Sequence, residues 1–239
     1  MAFPEFYDPA RIGTLFYPDV MRISEDAYAA DLKPAPTDTR KRLLLIVDMQ
    51  VDFCHEQGTL HVPGALEDIR RTIEFIYRYS GSITRTVCSL DTHMPHQIFH
   101  PSWWVDSDGN HPSPFTIITR ESAEKGEWRP LYRKAWSLKY MQKLEEQAEK
   151  QHMIWPYHVH VGGMGFTLDP ELWSAVFWHS LARESQPVLW QKGQREETEH
   201  YSAMKPEVYS DEVQTEKSQK FVDMFKEYDD IFIVGEAAS

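Results

Sequence analysis

A continuous apolar run, Leu43–Val47, is the feature that most limits how this chain can fold. Charged residues bound the run on both sides, and Asp48 follows it directly. Such a run is typical of a central parallel strand that is covered on both faces, because a strand with one face in water alternates apolar and polar residues. The run therefore predicts a sheet with helices on both of its faces.

The residues after this run predict a helix and a second strand. Isoleucines recur at helical spacing in Ala65–Tyr79, and Ile83–Leu90 has the composition of the next strand. A crossover between two parallel strands is right-handed in nearly all proteins. We therefore predict an α/β fold with a doubly wound, Rossmann-like and mainly parallel sheet.

The same alternation returns in the second half of the chain. Pro170–Arg183 predicts a helix with Asp169 as its N-cap, and Val188–Trp190 predicts a strand. Glu216–Tyr228 and Ile231–Val234 predict one more helix and one more strand. Residues 41–239 are therefore expected to form one α/β domain.

Two segments do not follow the alternation. Residues 1–40 are rich in proline and aromatic residues and predict an N-terminal arm that lies on the domain. Between about residues 100 and 152 the pattern fails, which indicates an insertion that serves as a lid or an interface. Within this insertion, Lys139–Gln151 is interpreted as a charged surface helix.

Composition excludes several classes of partner. The chain has 25 Lys and Arg against 37 Asp and Glu, and this net charge of −12 disfavours nucleic acid. No apolar run approaches the ~20 residues that a membrane helix needs. Two cysteines, Cys54 and Cys88, do not make a disulfide framework and fit a reducing compartment. We therefore expect a cytoplasmic protein without nucleic-acid or membrane partners, and association into a homo-oligomer is left open.

Two charged residues lie where predicted strands end, and ligands of open α/β sheets bind outside these ends. Asp48 lies at the tip of the first strand, where a low dielectric raises a carboxyl pKa and allows proton exchange near neutral pH. The alternative is a carboxylate that caps the next turn. Lys192 follows the third strand and precedes Gly193, and its alternative is a solvated loop lysine.

Asp91 and His93 are separated by one residue in an extended segment, so that both side chains can reach one cation. An Asp-x-His pair alone is common and is weak evidence for a metal. The chain has 11 histidines, which dilutes the signal further. Surface or packing roles are expected for His96, His100, His111 and His160.

Four motifs, in their order along the chain, resemble the nicotinamidase branch of the isochorismatase-like cysteine hydrolases. They are Asp48-Met-Gln-Val-Asp-Phe53 with Gly58-Thr-Leu-His-Val-Pro-Gly64, Asp91-Thr-His93, Trp155-Pro-Tyr-His158, and Lys192-Gly193 with His200-Tyr-Ser-Ala203. The resemblance covers about residues 42–239. It implies hydrolysis of nicotinamide, or a related small amide, to the acid and ammonia through a cysteine thioester, a step of NAD salvage. By the same resemblance Asp48 is the proton shuttle and Lys192 its electrostatic partner in one cleft.

The resemblance also implies a metal site. His158 becomes the third ligand beside Asp91 and His93. One carboxylate and two imidazoles suit Zn²⁺, with iron or manganese as alternatives. One position departs from the pattern, because Gln97 stands where many relatives have a further histidine or serine. The outer coordination sphere is therefore left open.

Substrate and transition-state contacts are implied as well. Phe53, Trp155 and Tyr201 are expected to bind the substrate ring. Glu236 and Ala237 occupy the oxyanion region, where relatives carry a cis peptide bond. That bond is expected to be cis only if the rest of the active-site turn is present.

The nucleophile is not identified among the residues of this chain. By resemblance it would be the second residue after Ser239, so that the domain would be incomplete at its C-terminus. Cys54 lies after the first strand and Cys88 inside the second, where burial raises a thiol pKa. Two other functions stay open at this point. A metal-independent isochorismatase-like hydrolase is disfavoured by the Asp91 and His93 pair, and a non-catalytic fragment is favoured by the missing nucleophile.

Overall fold

The structure is a computed structural model that describes residues 3–148 and 151–236. It contains two compact units. We call the first the sheet unit, which comprises Met1–Leu90, Gly163–Trp190 and Val222–Ser239. The second is the loop unit, which comprises Asp91–Gly162 and Gln191–Phe221.

Short strands and helices alternate along the chain. The strands are β1 Arg42–Val47, β2 Arg85–Asp91, β3 Trp104–Val105, β4 Ile117–Ile118, β5 Arg129–Pro130, β6 His152–Met153, β7 Val188–Lys192 and β8 Asp230–Gly235. The α-helices are α1 Val20–Ala29, α2 Val51–Cys54, α3 Ala65–Tyr79, α4 Arg120–Glu124, α5 Lys134–Lys143, α6 Pro170–Ala182 and α7 Glu212–Phe225. Within residues 3–148 and 151–236, no helix is long and apolar enough to cross a membrane.

The central sheet has four parallel strands in the order β7-β2-β1-β8, with helices on both of its sides. Leu43 of β1 lies opposite Arg85 of β2 and Ile231 of β8. Leu43–Ile46 is buried along its whole length, as expected for a strand inside the sheet. The predicted α/β, doubly wound and mainly parallel fold is confirmed.

Two helices of the sheet unit agree with the sequence prediction. Helix α3 has the predicted bounds, and its isoleucines at helical spacing are fully buried against α6. Helix α6 begins after Asp169, whose Oδ1 accepts hydrogen bonds from the backbone N–H groups of Glu171 and Leu172 at 2.9 and 3.2 Å. These bonds satisfy donors that a helix N-terminus leaves without partners inside the helix.

The N-terminal arm contains a helix that the sequence does not predict. Helix α1 lies between the prolines of the arm, and Asp19 caps it by accepting a hydrogen bond from the backbone N–H of Arg22 at 3.1 Å. Ile23 and Ala27 are buried in the core that α6 also lines. The arm is therefore ordered by the burial of one helical face.

The predicted surface helix Lys139–Gln151 is wrong in its bounds and in its exposure. The regular helix α5 begins at Lys134 and ends at Lys143, and a π-helical turn, Leu144–Ala148, follows it. Residues 149 and 150 lie outside the described residues. Tyr140 and Met141 are buried in the aromatic core of the loop unit, whereas the neighbouring Lys139 is exposed. A high local charge therefore concealed an apolar face.

The core of the loop unit consists largely of aromatic residues. Trp103 and Trp104 are buried, and their indole N–H groups donate to Ser137 Oγ at 3.0 Å and to the Ile98 carbonyl at 2.6 Å. Two antiparallel pairs, β3 with β5 and β4 with β6, flank this core. The core fixes the segment that follows His93 in the sequence.

Candidate metal centre

Asp91, His93 and His158 lie together in the loop unit. One ligand atom from each side chain lies within 4.8 Å of the others, and all three residues are buried. Asp91 is the last residue of β2, and His93 follows it by two positions. The backbone N–H of His93 donates to the Val159 carbonyl at 3.2 Å, and the Val161 N–H donates to the His93 carbonyl at 3.2 Å. This short parallel pairing brings His158 beside His93.

Main-chain carbonyls orient both imidazole rings. Nδ1 of His93 lies 3.2 Å from the Gly193 carbonyl oxygen, and Nδ1 of His158 lies 2.7 Å from the Pro156 carbonyl oxygen. A carbonyl oxygen can only accept, so each Nδ1 must carry the proton. The Nε2 atoms of His93 and His158 then face Oδ2 of Asp91, at 2.9 and 3.8 Å.

This arrangement fits a divalent metal. Nε2 of His93 is buried at ion-pair distance from Asp91, but it makes no properly directed hydrogen bond among the described residues. Two imidazole nitrogens and one carboxylate oxygen are the ligands of many zinc sites that keep positions open for water or substrate. The same set also binds iron and manganese, so that the residues fit a divalent ion without selecting one.

Lys192 and Gly193 lie against Asp91 and His93. Nζ of Lys192 lies 3.2 Å from Oδ1 of Asp91 and donates to the His200 carbonyl at 3.0 Å. Lys192 is only 4 % exposed, which contradicts the alternative of a solvated loop lysine. Gly193 has φ +77°, and a Cβ at this position would lie 2.6 Å from Oδ1 of Asp91 and 2.8 Å from Cε1 of His93. Only glycine fits here without displacing the side chains of Asp91 and His93.

The charged groups of the cluster shift one another's pKa values. Burial alone would raise the pKa of Asp91, but His93 and Lys192 outweigh burial and hold that pKa far below its usual range. Burial would lower the pKa of His93, but the Asp91 carboxylate raises it above its usual value. Burial and the neighbouring His93 lower the pKa of His158 to about 4. His158 is therefore neutral at neutral pH, as a metal ligand must be.

Asp48 belongs to the sheet unit and directly follows β1. Its backbone has φ +49°, an uncommon value for a residue other than glycine, and its side chain is buried. Oδ1 of Asp48 accepts a hydrogen bond from Ser89 Oγ at 2.6 Å. The sequence analysis missed Ser89, although a serine inside an apolar strand is a signal that could have identified it.

Glu199 is a second residue that the sequence analysis missed. It is 5 % exposed, and its Oε2 has no hydrogen-bond partner among the described residues. Burial raises its pKa to about 7, although His93 lowers it. Glu199 ends the run Glu196-Glu-Thr-Glu199, and such acidic runs are typical of solvated loops. Its burial near the ligand set could not be read from that pattern.

The predicted substrate and oxyanion residues are distributed over both units. Trp155 and Tyr201 meet edge to face in the loop unit, with ring centroids 6.1 Å apart. Phe53 lies in α2 of the sheet unit and is half-buried. The backbone N–H of Glu236 donates to the Val47 carbonyl at 3.0 Å, and burial raises the Glu236 pKa to about 7. Ala237, and with it the Glu236–Ala237 bond, lies outside the described residues.

Both cysteines are free and buried. Burial, with a smaller effect of Glu236, raises the pKa of the Cys54 thiol well above its usual value. Burial alone raises the pKa of Cys88 to about 12. Thiols of this kind are poor nucleophiles because the thiolate is the reactive form.

Similarity to solved structures identifies the fold of this chain. No protein-family model and no curated protein matches the sequence. The yeast nicotinamidase bound to the inhibitor nicotinaldehyde is similar with a TM-score of 0.53 and 20 % identity, over 82 % of this chain and 75 % of that chain. A second structure of the yeast enzyme has a TM-score of 0.53 and 21 % identity, over 82 % of this chain and 75 % of that chain. A nicotinamidase from Acinetobacter baumanii has a TM-score of 0.49 and 19 % identity, over 84 % of this chain and 73 % of that chain. The chain therefore has the same α/β fold as the yeast nicotinamidase.

Proposed function

We propose that this chain carries the site of a metal-dependent amidohydrolase of nicotinamidase type. Its substrate would be nicotinamide or a related small amide, and its products the acid and ammonia. The observation that supports this most is the convergence of Asp91, His93 and His158, with Lys192 on the second oxygen of Asp91. A metal-independent isochorismatase-like hydrolase has no need for such a ligand set. In a cell, the acid product would enter pyridine nucleotide synthesis, and the two free thiols support a reducing, cytoplasmic location.

The proposed chemistry divides roles among the residues. Bound at the ligand set, a zinc ion would supply a Lewis acid and an attachment point for the pyridine nitrogen. Trp155 and Tyr201, with Phe53, would hold the ring by aromatic contacts. Asp48 would accept the thiol proton as the sulfur attacks the amide carbon, and would deliver it to the departing nitrogen as ammonia leaves. The ammonium of Lys192 would stabilise the negative charge of this step.

Binding and turnover are separate parts of the proposal. A thioester requires an accessible thiolate, and neither Cys54 nor Cys88 meets this requirement because both are buried with raised pKa values. We therefore expect the 239-residue chain to bind the metal and the amide without hydrolysing the amide.

Metal analysis and calorimetry test the binding part. The purified protein should bind about one zinc ion per chain, and the zinc-loaded protein should bind nicotinamide. The double variant His93→Ala, His158→Ala should lose both, whereas His96→Ala, an exposed histidine in the same segment, should lose neither. Full zinc retention by the double variant would refute the ligand assignment.

A gain of function tests the chemistry. A variant extended at the C-terminus, with cysteine as the second added residue, should release ammonia from nicotinamide. This activity should disappear on replacing that cysteine by alanine or on Asp48→Asn. Persistence of the activity in Asp48→Asn would remove Asp48 from the proton-transfer role.

A further inference from the structure

Gln97 is a fully buried amide whose polar groups are all used. Its Nε2 donates to the Gly193 carbonyl at 2.7 Å and to the Arg195 carbonyl at 2.8 Å. Its Oε1 accepts from the backbone N–H of Met94 at 2.9 Å. Two donors and one acceptor are therefore matched by two carbonyls and one N–H. If the amide were flipped, its oxygen would face the two carbonyl oxygens of Gly193 and Arg195. The contacts therefore fix the orientation with Nε2 toward these carbonyls.

These bonds connect two segments of the loop unit. The segment after His93 contains Met94 and Gln97, and the facing segment contains Gly193 and Arg195. The backbone N–H of Ile98 adds a bond to the Glu196 carbonyl at 2.7 Å. The side chain of Gln97 joins both segments, and its partners are main-chain groups. Its contacts therefore fix backbone positions.

The Gly193 carbonyl is shared between Gln97 and His93. Its oxygen accepts from Nε2 of Gln97 at 2.7 Å and from Nδ1 of His93 at 3.2 Å. A carbonyl oxygen has two lone pairs, and these two donors use both. Gly193 has φ +77°, and glycine adopts positive and negative φ about equally well, so that these hydrogen bonds help to select the direction of its carbonyl.

We propose that Gln97 is a positioning residue for His93, acting through the Gly193 carbonyl to hold Nδ1 protonated and Nε2 directed at the metal. The inference rests on the proposed metal site. Partners that orient a ligand histidine typically change metal affinity about 10- to 100-fold when they are removed.

Gln97→Met tests this role because it keeps the length of the side chain and removes its donors and acceptor. Gln97→Glu is the second variant, since it keeps the shape and places an oxygen against the two carbonyls. Gln214→Met is the matched control, because Gln214 is also buried in the loop unit but contacts Ser210. Circular dichroism establishes that each variant is folded.

Two readouts are needed, zinc affinity by chelator competition and the ring ¹⁵N spectrum of His93. In the Gln97 variants the Kd for zinc should rise about 10- to 100-fold, and the Nδ1 resonance of the zinc-bound ring should shift as its hydrogen bond to the Gly193 carbonyl weakens. Gln214→Met should change neither. A folded Gln97→Met protein with wild-type Kd and an unchanged ring spectrum would overturn the inference.

The outcomes separate this inference from the proposed function. If wild-type protein binds no zinc, the metal proposal fails, and the metal-free spectrum still tests Gln97, because Gln97→Met should weaken the Nδ1–H hydrogen bond of His93. If neither variant folds, hydrogen exchange of wild-type side-chain amides decides. The amide protons of Gln97 should exchange more slowly than those of the exposed Gln142. Equal rates would overturn the inference.

Discussion

Gly193→Ala is the substitution that probes the candidate metal centre most directly. The added Cβ would lie 2.6 Å from Oδ1 of Asp91 and 2.8 Å from Cε1 of His93, closer than non-bonded atoms approach. Neither ligand can keep its place beside this methyl group. Gly126→Ala is a matched control, since Gly126 has φ +78°, close to the +77° of Gly193, and a Cβ added there would have no neighbouring atom within 4 Å.

The two substitutions share one energetic cost and differ in another. A left-handed backbone costs a residue with a Cβ about 1–2 kcal/mol, and both variants carry this cost. Only Gly193→Ala also displaces two metal ligands. Loss of a single supporting contact weakens metal binding about 10- to 100-fold, so we expect at least a 100-fold weaker Kd for zinc.

Thermal unfolding with and without zinc measures this difference. At a free zinc concentration of about 100 times the wild-type Kd, the ion stabilises the folded protein by about 2.7 kcal/mol. With a Kd 100-fold weaker, the same zinc concentration contributes only about 0.4 kcal/mol. For a chain of this size these energies correspond to shifts in Tm of about 5–11 °C and about 1–2 °C.

The control decides how the result is interpreted. Gly126→Ala should lower Tm in the absence of zinc and keep the full zinc-induced shift. Gly193→Ala should lower Tm and lose most of that shift. If Gly193→Ala keeps the wild-type shift, then Gly193 does not lie against the metal ligands and the geometry of the centre is wrong.

Further predictions concern protons, charge and thiols. Asp91 raises the pKa of His93, so that zinc must displace a proton from His93, and zinc affinity should fall as the pH falls through that raised pKa. The proton on His158 competes with zinc only near pH 4. Calorimetry in buffers of different ionisation enthalpy should detect about one released proton per zinc below the His93 pKa and none well above it. Lys192→Met leaves the Asp91 carboxylate without its buried ammonium partner. In urea denaturation it should lower the free energy of unfolding of the metal-free protein by about 3 kcal/mol. Lys226→Met removes the exposed ion pair with Asp223 and should change this free energy by less than about 1 kcal/mol. Neither cysteine should react with iodoacetamide until the protein unfolds, and the 239-residue chain should release no ammonia from nicotinamide; fast labelling of either thiol, or turnover, would contradict this.

Much of the fold could be predicted because its signals are local. Leu43–Val47 and Ala65–Tyr79 carry the periodicity of a buried strand and an amphipathic helix within their own residues, and the structure has both. The helix was misplaced over Lys139–Gln151 because charged residues are frequent in that segment, while Tyr140 and Met141 are buried by contacts with distant parts of the loop unit. Tertiary packing decides such a helix, and a sequence window does not contain it.

Some residues of the candidate site could also be predicted from local sequence, and others could not. Asp91 and His93 could be predicted as a pair because they are neighbours in one extended segment. The structure then places His158 beside them, through backbone pairing that no spacing encodes. Gln97 was noted as a departure from the pattern, but its buried role could not be predicted, since such a role depends on which segment lies opposite. Glu199 was missed because the run Glu196-Glu-Thr-Glu199 resembles a solvated polar loop.

The use of main-chain carbonyls behind both imidazoles has an electronic consequence. A histidine whose Nδ1–H donates to a carboxylate becomes a more basic ligand and transfers more electron density to its metal. His93 and His158 donate instead to the neutral carbonyls of Gly193 and Pro156. They are therefore weaker electron donors, and the ammonium of Lys192 withdraws further density through Asp91. An ion held by this set would keep more of its positive character and would polarise a bound water or substrate more strongly.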